Sequence, residues 1–390
     1  MDADLLCRPR HSFPNLACMK LSGFHKSRGD HTELVLDPGT AGAYDRVYVS
    51  KVFTDTVIPE EVLQLENIIC GGTGFYYDKA EPLPQEVEHH MPDYGLYQKF
   101  IQEQTGSGKR AVSYKFYTDY SIGFLTRGCF RKCDFCVNRN STKSVPASPL
   151  KEFLDKRRKK LCFLDDNFLA CAEWERLLDE VLESGKRFQF RQGLDLRIMQ
   201  KRQMERLFSG KLDGDVIFAF DDIADRGVIE RKLSLLRETV KIKNGLKLYV
   251  LCGFDRKGDW GSGFWAEDIR DTLERVKILM RFGCLAYIMR YEKCRQSPYR
   301  GMYIVISRWC NQPGQYRKKS LREFCVSQGE NSSSIRYLEE FETEHPELSD
   351  YFDMKYEEEA NAEHLKNVSD DMPLIEERGR CPVYEEECHV

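Results

Sequence analysis

The sequence predicts an α/β fold: a partial (β/α)6 TIM-like barrel of parallel strands, preceded by a small truncated Rossmann-like α/β unit. Three observations predict it. Strand and helix patterns alternate six times between about residues 115 and 307, and such alternation points to a parallel sheet covered by helices. Residues 1–78 repeat the alternation on a smaller scale, with one connection too short for a full crossover helix. The 390-residue chain is 41% hydrophobic and 31% charged, an ordinary globular composition with ample material for a core.

The N-terminal unit reads as follows. PNLACMKLSGFHKSRGD (14–30) carries helical spacing at Leu16, Met19, Leu21 and Phe24 and ends on Gly-Asp. TELVLD (32–37), RVYVSKVF (46–53) and NIICGG (67–72) are short apolar strand candidates. PEEVLQLE (59–66) is a short helix with Pro near its start and acids in its first turn. Residues 79–112, with three prolines, QEVEHH and QTGSGKR, read as a linker, His89 and His90 included.

In the larger unit (113–320) the strand candidates are YSIGFLT (120–126), LCFLDD (161–166), RFQFRQG (187–193), DVIFAFDD (215–222), KLYVLCGF (247–254) and CLAYIMRY (284–291). Helix candidates between them include residues 172–185, 227–245 and 266–283. In such folds chemistry gathers at the C-terminal ends of the strands. Residues 321–390 form a C-terminal extension with an acidic tail.

The chain has 63 acidic and 59 basic residues, a net charge of −4. Residues 339–390 alone carry −14, which leaves +10 on residues 1–338. A mildly basic body suits phosphates or nucleic acid, and the tail is either solvated or folded back on that body. No apolar run approaches the roughly 18 residues that span a bilayer. The first residues lack the layout of a signal peptide, so the expected location is cytoplasmic, with no membrane partner. Fifteen cysteines are then more consistent with metal or catalytic use than with a disulfide framework.

The sharpest motif is GCFRKCDFC, with Cys129, Cys133 and Cys136 spaced CxxxCxxC just after the first barrel strand. Ferredoxin-type clusters take four cysteines each. Three leave one iron of a 4Fe–4S cube open to a small chelating molecule. Structural zinc sites usually have four ligands in paired knuckles, and no partner CxxC occurs here.

On these residues the sequence resembles the radical S-adenosylmethionine (SAM) superfamily, over about residues 115–307. Phe135, just before the last cysteine, matches the aromatic used there against the adenine of SAM. The resemblance implies a reduced 4Fe–4S cluster that passes an electron to SAM chelated at its open iron. SAM then cleaves to methionine and a 5′-deoxyadenosyl radical, which abstracts a substrate hydrogen. It also implies a reducing partner such as flavodoxin or ferredoxin. The N-terminal unit, ending in IICGGTGF, is similar to the cobalamin-binding-type domain that precedes this core in many members. Their Asp-x-His-x-x-Gly motif has only Gly23-Phe24-His25-Lys26-Ser27-Arg28-Gly29 as its counterpart. The Asp is absent and the Gly is one place late, so cobalamin is not an expected cofactor.

The remaining cofactor-binding candidates follow from position. Asp165, Asp166 or Asn167 stand where the family holds the SAM amino group, in place of an absent Gly-Gly-Glu run; an Asx turn capping the next helix is the plain alternative. Gln192 and Arg197 suit the SAM carboxylate or the substrate, with a salt bridge as the alternative. Asp221 and Asp222 suit ribose hydroxyls. Gly253 permits close approach to the cofactor, and Cys252 beside it reads as core. Trp309, Cys310, Asn311 and Gln312 border the substrate cavity or simply pack. Cys381, Cys388 and His389 read as part of a solvated tail, with a second zinc or cluster site shared with Cys310 or Cys325 as the alternative. The leading function is a radical SAM enzyme acting on a small molecule or peptide. The other class is a non-enzymatic zinc, iron–sulfur or RNA-binding protein using the same cysteines structurally, although no compact basic-aromatic RNA module is visible.

Overall fold

The structure, a computed structural model, describes residues 3–6, 13–54 and 56–356. Cys381, Cys388, His389 and the tail beyond residue 356 lie outside the described residues. Contacts divide the chain into two compact units, the first ending at Phe188 and the second beginning at Gln189.

The first unit opens with a parallel sheet in the order β1 (Ala3–Leu6), β2 (Arg46–Ser50), β3 (Ile68–Gly71). Ala3 pairs with Arg46 and Val47 with Ile68. The expected strand at 32–37 is therefore corrected: the place beside β2 belongs to β1. Residues 32–37 run instead to a turn where Asp37 caps Pro38–Ala43 through a 3.0 Å bond from Gly39 N–H. Val35 and Ala41 sink beside Val47, Val49 and Val62 to form a small core. The helix Leu16–Ser27 is capped by Asn15, whose side chain accepts the Cys18 N–H at 3.2 Å. It buries Cys18, Met19 and Leu21 against Val87, Leu96, Tyr97, Phe100, Tyr114 and Tyr117. The stretch read as a linker thus supplies half of a core, and Gln98–Gly106 within it is helical.

The same unit continues with a second parallel sheet, β4 (Tyr120–Gly123), β7 (Lys160–Phe163) and β8 (Arg187–Phe190), within whose last strand the division falls. All four residues of β4 are buried. Between β4 and β7, β5 (Thr126–Arg127) and β6 (Val145–Pro146) pair antiparallel and close off the loop that carries the three cysteines.

The second unit holds the parallel sheet β9 (Val216–Ala219), β10 (Leu246–Cys252), β11 (Leu285–Arg290), with β10 central. The helices Arg226–Thr239 and Ser262–Arg281 make its crossovers. Leu194 extends it by a parallel bridge to Phe218. All six expected barrel strands thus exist, in parallel sheets, and no closed barrel forms among the described residues. Six strands are fewer than the eight that close a barrel of this type.

Beyond β11 the apolar run after Tyr299 is a helix, Arg300–Cys310, burying Met302, Tyr303, Val305, Ile306 and Trp309. The helix Ser333–Glu344 follows. The start of the acidic segment is therefore folded: Phe341, Leu348, Phe352 and Tyr356 are buried, and Arg322 pairs with Glu342 at 2.7 Å and Asp353 at 2.9 Å. No helix among the described residues is long and apolar enough to cross a membrane.

Candidate metal centre

The cysteine loop leaves the C-terminal end of β4, and its first turn depends on Gly128. Its φ is +88°, a region L side chains rarely adopt. A Cβ there would run into Lys143 O and Ser141 Oγ. Ser141 is the internal pin: its Oγ accepts the Cys129 N–H at 3.1 Å and donates to Lys143 O at 3.1 Å. Lys132 Nζ donates to Ser141 O.

The neighbouring strand β7 braces this loop from the sheet. Asp165 Oδ1 accepts the Thr126 N–H at 2.6 Å and its hydroxyl at 2.7 Å, while Oδ2 accepts the Leu125 N–H at 3.2 Å. Asp166 Oδ2 accepts the Gly128 N–H and Oδ1 accepts Asn138 Nδ2–H, both at 2.7 Å. One carboxylate thus joins the start of the loop to its far arm. Burial pushes the Asp165 carboxyl up to about 7, against the opposing pull of its three donors. On the other side of the loop, Arg127 meets Glu88 at 3.3 Å, and Glu88 also pairs with the buried Lys20 at 3.0 Å. Burial pulls the Lys20 ammonium below its usual range, with Glu88 opposing it.

Cys129, Cys133 and Cys136 are half-buried, and none is in a disulfide. N–H groups point at two of the sulfurs. Asn167 Nδ2 donates to Cys129 Sγ at 3.3 Å and the Arg131 amide at 3.4 Å; the Asn138 amide donates to Cys136 Sγ at 3.4 Å. Such bonds stabilise thiolate ligands, so the donor set fits sulfur ligation of a metal cluster. Among the described residues no three His, Cys, Asp or Glu side chains gather closely enough to hold one metal ion. Phe135 is half-buried, and its carbonyl accepts Tyr77 O–H at 3.0 Å.

The structure places the other candidates as follows. In the second unit Gln192 is exposed. Arg197 is held between Asp195 at 2.8 Å and Asp225 at 2.7 Å; burial opposes its charge, and the two carboxylates more than reverse that. Asp221 Oδ1 accepts the Leu251 N–H at 3.1 Å, and burial raises its carboxyl against the pull of Arg275. Asp222 caps the next turn through the Ala224 N–H at 2.8 Å and pairs with Arg256. Gly253, at φ +74°, is filled against by Cys294 Sγ, and its N–H donates to Asp268 at 2.7 Å. Cys252 is core, as expected. Trp309 is fully buried, with Nε1–H on Lys319 O at 3.0 Å. Asn311 bonds the backbone of Ile288 twice, accepting its N–H at 2.7 Å and donating to its O at 3.1 Å. Gln312 precedes the turn Pro313–Tyr316 with no side-chain cap bond; its carbonyl accepts the Gln315 N–H at 2.9 Å and the Tyr316 N–H at 3.0 Å. Cys310 and Cys325 are buried, and burial pushes both thiols up.

In the first unit His25 is buried in its helix, with Nδ1 at 2.7 Å from Asp30 and Nε2 at 3.0 Å from Tyr48 O–H. His89 meets Glu152 at 2.8 Å. Sequence reasoning noted Gly128 only as part of the loop around the cysteines, and it missed Asn138, Ser141, Tyr77 and Asp78. None of these four carried a local signal.

No protein-family model matches the chain, and no curated protein sequence matches it. Solved structures of the cobalamin-dependent S-adenosylmethionine radical enzyme OxsB are similar to it, one with aqua-cobalamin and S-adenosylmethionine bound and one with aqua-cobalamin bound. Both show 13% identity and a TM-score of 0.42. The likeness covers 88% of this chain, and the chain spans 61% of the OxsB chain. A likeness this distant assigns neither activity nor ligand to this chain.

Proposed function

We propose that the chain is an enzyme of the radical SAM kind, with Cys129, Cys133 and Cys136 holding a 4Fe–4S cluster. The observation that carries the reading is the CxxxCxxC loop at the C-terminal end of a parallel strand, with N–H donors directed at two of its sulfurs. When bound, the cluster would supply the electron that cleaves SAM, and SAM the radical that attacks substrate. The protein's own residues do the rest. Asp166 ties Gly128 to Asn138 and so fixes the span of the loop. Asp165 anchors the end of the β4 segment. Asn167 and the two backbone amides meet sulfur charge. The six strands of the two larger sheets correspond, on this reading, to those of the expected partial barrel. The substrate is a small molecule or peptide, and the electron donor a flavodoxin- or ferredoxin-like protein. Cobalamin ligation by His25 would require breaking its bond to Asp30 or to Tyr48.

Anaerobic reconstitution with iron and sulfide tests the reading. The wild-type protein should turn brown, bind about four irons per chain as one cube requires, and release 5′-deoxyadenosine from SAM when reduced. The variant with all three cysteines changed to Ala should do none of these. Colourless wild-type protein that takes up zinc and leaves SAM intact would establish the non-enzymatic metal reading instead.

A further inference from the structure

We propose that Tyr77 and Asp78 are positioning residues for the cysteine loop, clasping the arm that carries Cys136. The proposal rests on the three cysteines being cluster ligands. Both residues follow β3 directly, after the single helical turn Thr73–Tyr76. Tyr77 O–H donates to Phe135 O at 3.0 Å. Asp78 Oδ2 accepts Arg139 Nε–H at 2.8 Å and Asn140 Nδ2–H at 3.3 Å, and Asp78 O accepts the same amide at 3.3 Å. The Arg139 guanidinium also lies 5.7 Å from the centre of the Tyr77 ring. These bonds land on residues 135, 139 and 140, on both sides of Cys136.

Backbone strain marks the same place. Tyr77 has φ +49°, a conformation a bulky side chain adopts only where its surroundings over-determine it. The same residue makes both contacts to the loop, through its hydroxyl and its ring. Asp166 grips the loop from the sheet at Gly128 and Asn138, so residues 136–140 are held from two sides. Irregular backbone that carries metal ligands needs such outer partners to keep its geometry. The N-terminal sheet thereby contributes directly to the metal centre, because the clasp is carried on the segment that leaves β3.

Alkylation of the metal-free, reduced full-length protein with iodoacetamide, followed cysteine by cysteine by mass spectrometry, tests this. In Tyr77→Phe and in Asp78→Ala, Cys136 should react at least about fivefold faster, the factor for losing one ordinary hydrogen bond, while Cys129 keeps its wild-type rate. The charge swap Asp78→Arg with Arg139→Asp should return Cys136 toward the wild-type rate. Unchanged rates, an equal rise at every cysteine, or a swap that rescues nothing would overturn the clasp. In reconstituted protein the same single variants should surrender iron to a chelator faster than wild type; an equal rate would count against the clasp. If wild-type protein takes up no iron, the proposed function fails while the alkylation result still decides the clasp.

Discussion

Asp165 is an acid that the fold keeps close to neutrality. A free aspartate titrates near ~3.9, whereas burial raises this one to about 7. The folded chain therefore holds this proton more tightly than the unfolded chain. Its contribution is greatest below pH ~4 and is lost as pH rises through about 7, after which it is flat. The whole span is on the order of 4 kcal/mol at about 1.4 kcal/mol per pH unit. Asp165→Asn cannot titrate. In urea unfolding of metal-free protein, wild type should lose roughly 2–3 kcal/mol relative to Asp165→Asn between pH 5 and pH 8. A difference between the two proteins that stays constant with pH would show that the carboxyl ionises normally. The neighbouring pair also shows how far a residue can be read from sequence. Asp165, Asp166 and Asn167 stood out as polar groups at a strand end, and an Asx turn was the plain alternative. What the sequence did not reveal is that the loop after β4 returns to take up their acceptors. That depends on β4 pairing with β7 in a register that sets Gly123 beside Phe163, a long-range fact with no local trace. Gly253 teaches the same lesson, because the atom that demands a glycine there is Cys294 Sγ, far away in sequence.

Two glycines separate conformational strain from crowding. Gly128 and Gly185 both have positive φ, +88° and +64°. A Cβ on Gly185 meets nothing within 4 Å, whereas one on Gly128 meets Lys143 O and Ser141 Oγ. Gly185→Ala should cost about 1 kcal/mol, the backbone term alone. Gly128→Ala should cost more, about 2–3 kcal/mol, since the Ser141 pin must move as well. Denaturant midpoints of the two variants check this, and equal losses would refute the crowding. At this scale the larger unit was legible because each of its strands lies in a short, largely apolar run between helical patterns. Val216–Ala219 and Leu246–Cys252 fall within a residue or so of where their start was expected. The small unit was less so. Ala3–Leu6 is four residues with no periodicity to speak of, and it is a strand only because β2 offers an edge. The helix Gln98–Gly106 hid behind polar residues on three sides; what makes it structural is Phe100 and Tyr97 inserted beside Met19. The folded start of the acidic extension was masked by its charge, although Phe341 and Phe352 carry it into a core.

At the scale of the molecule, two compact units of similar size imply that heat or denaturant does not unfold the chain in one step. Scanning calorimetry of the full chain should give a calorimetric enthalpy larger than the van't Hoff enthalpy, with two resolvable transitions. Equality of the two enthalpies would mean that the units melt as one. The alternating β-α pattern announced the architecture of both larger sheets, but not where the chain divides, because β8 reads like any other strand while the division falls within it. Asn311 bears on what the chain does among its own copies. It ends the helix Arg300–Cys310, and its amide offers Ile288 the donor and the acceptor that an adjoining strand would offer. Among the described residues β11 is the last strand of its sheet, and an unpaired sheet edge is a template for pairing between molecules. A single side-chain amide has already filled the rung at Ile288, so a foreign strand arriving there finds its hydrogen bonds spent. At that edge the pairing groups are thus taken up from within the chain, by Asn311 at Ile288 and by the Tyr316 hydroxyl at Cys284 O, 3.4 Å away.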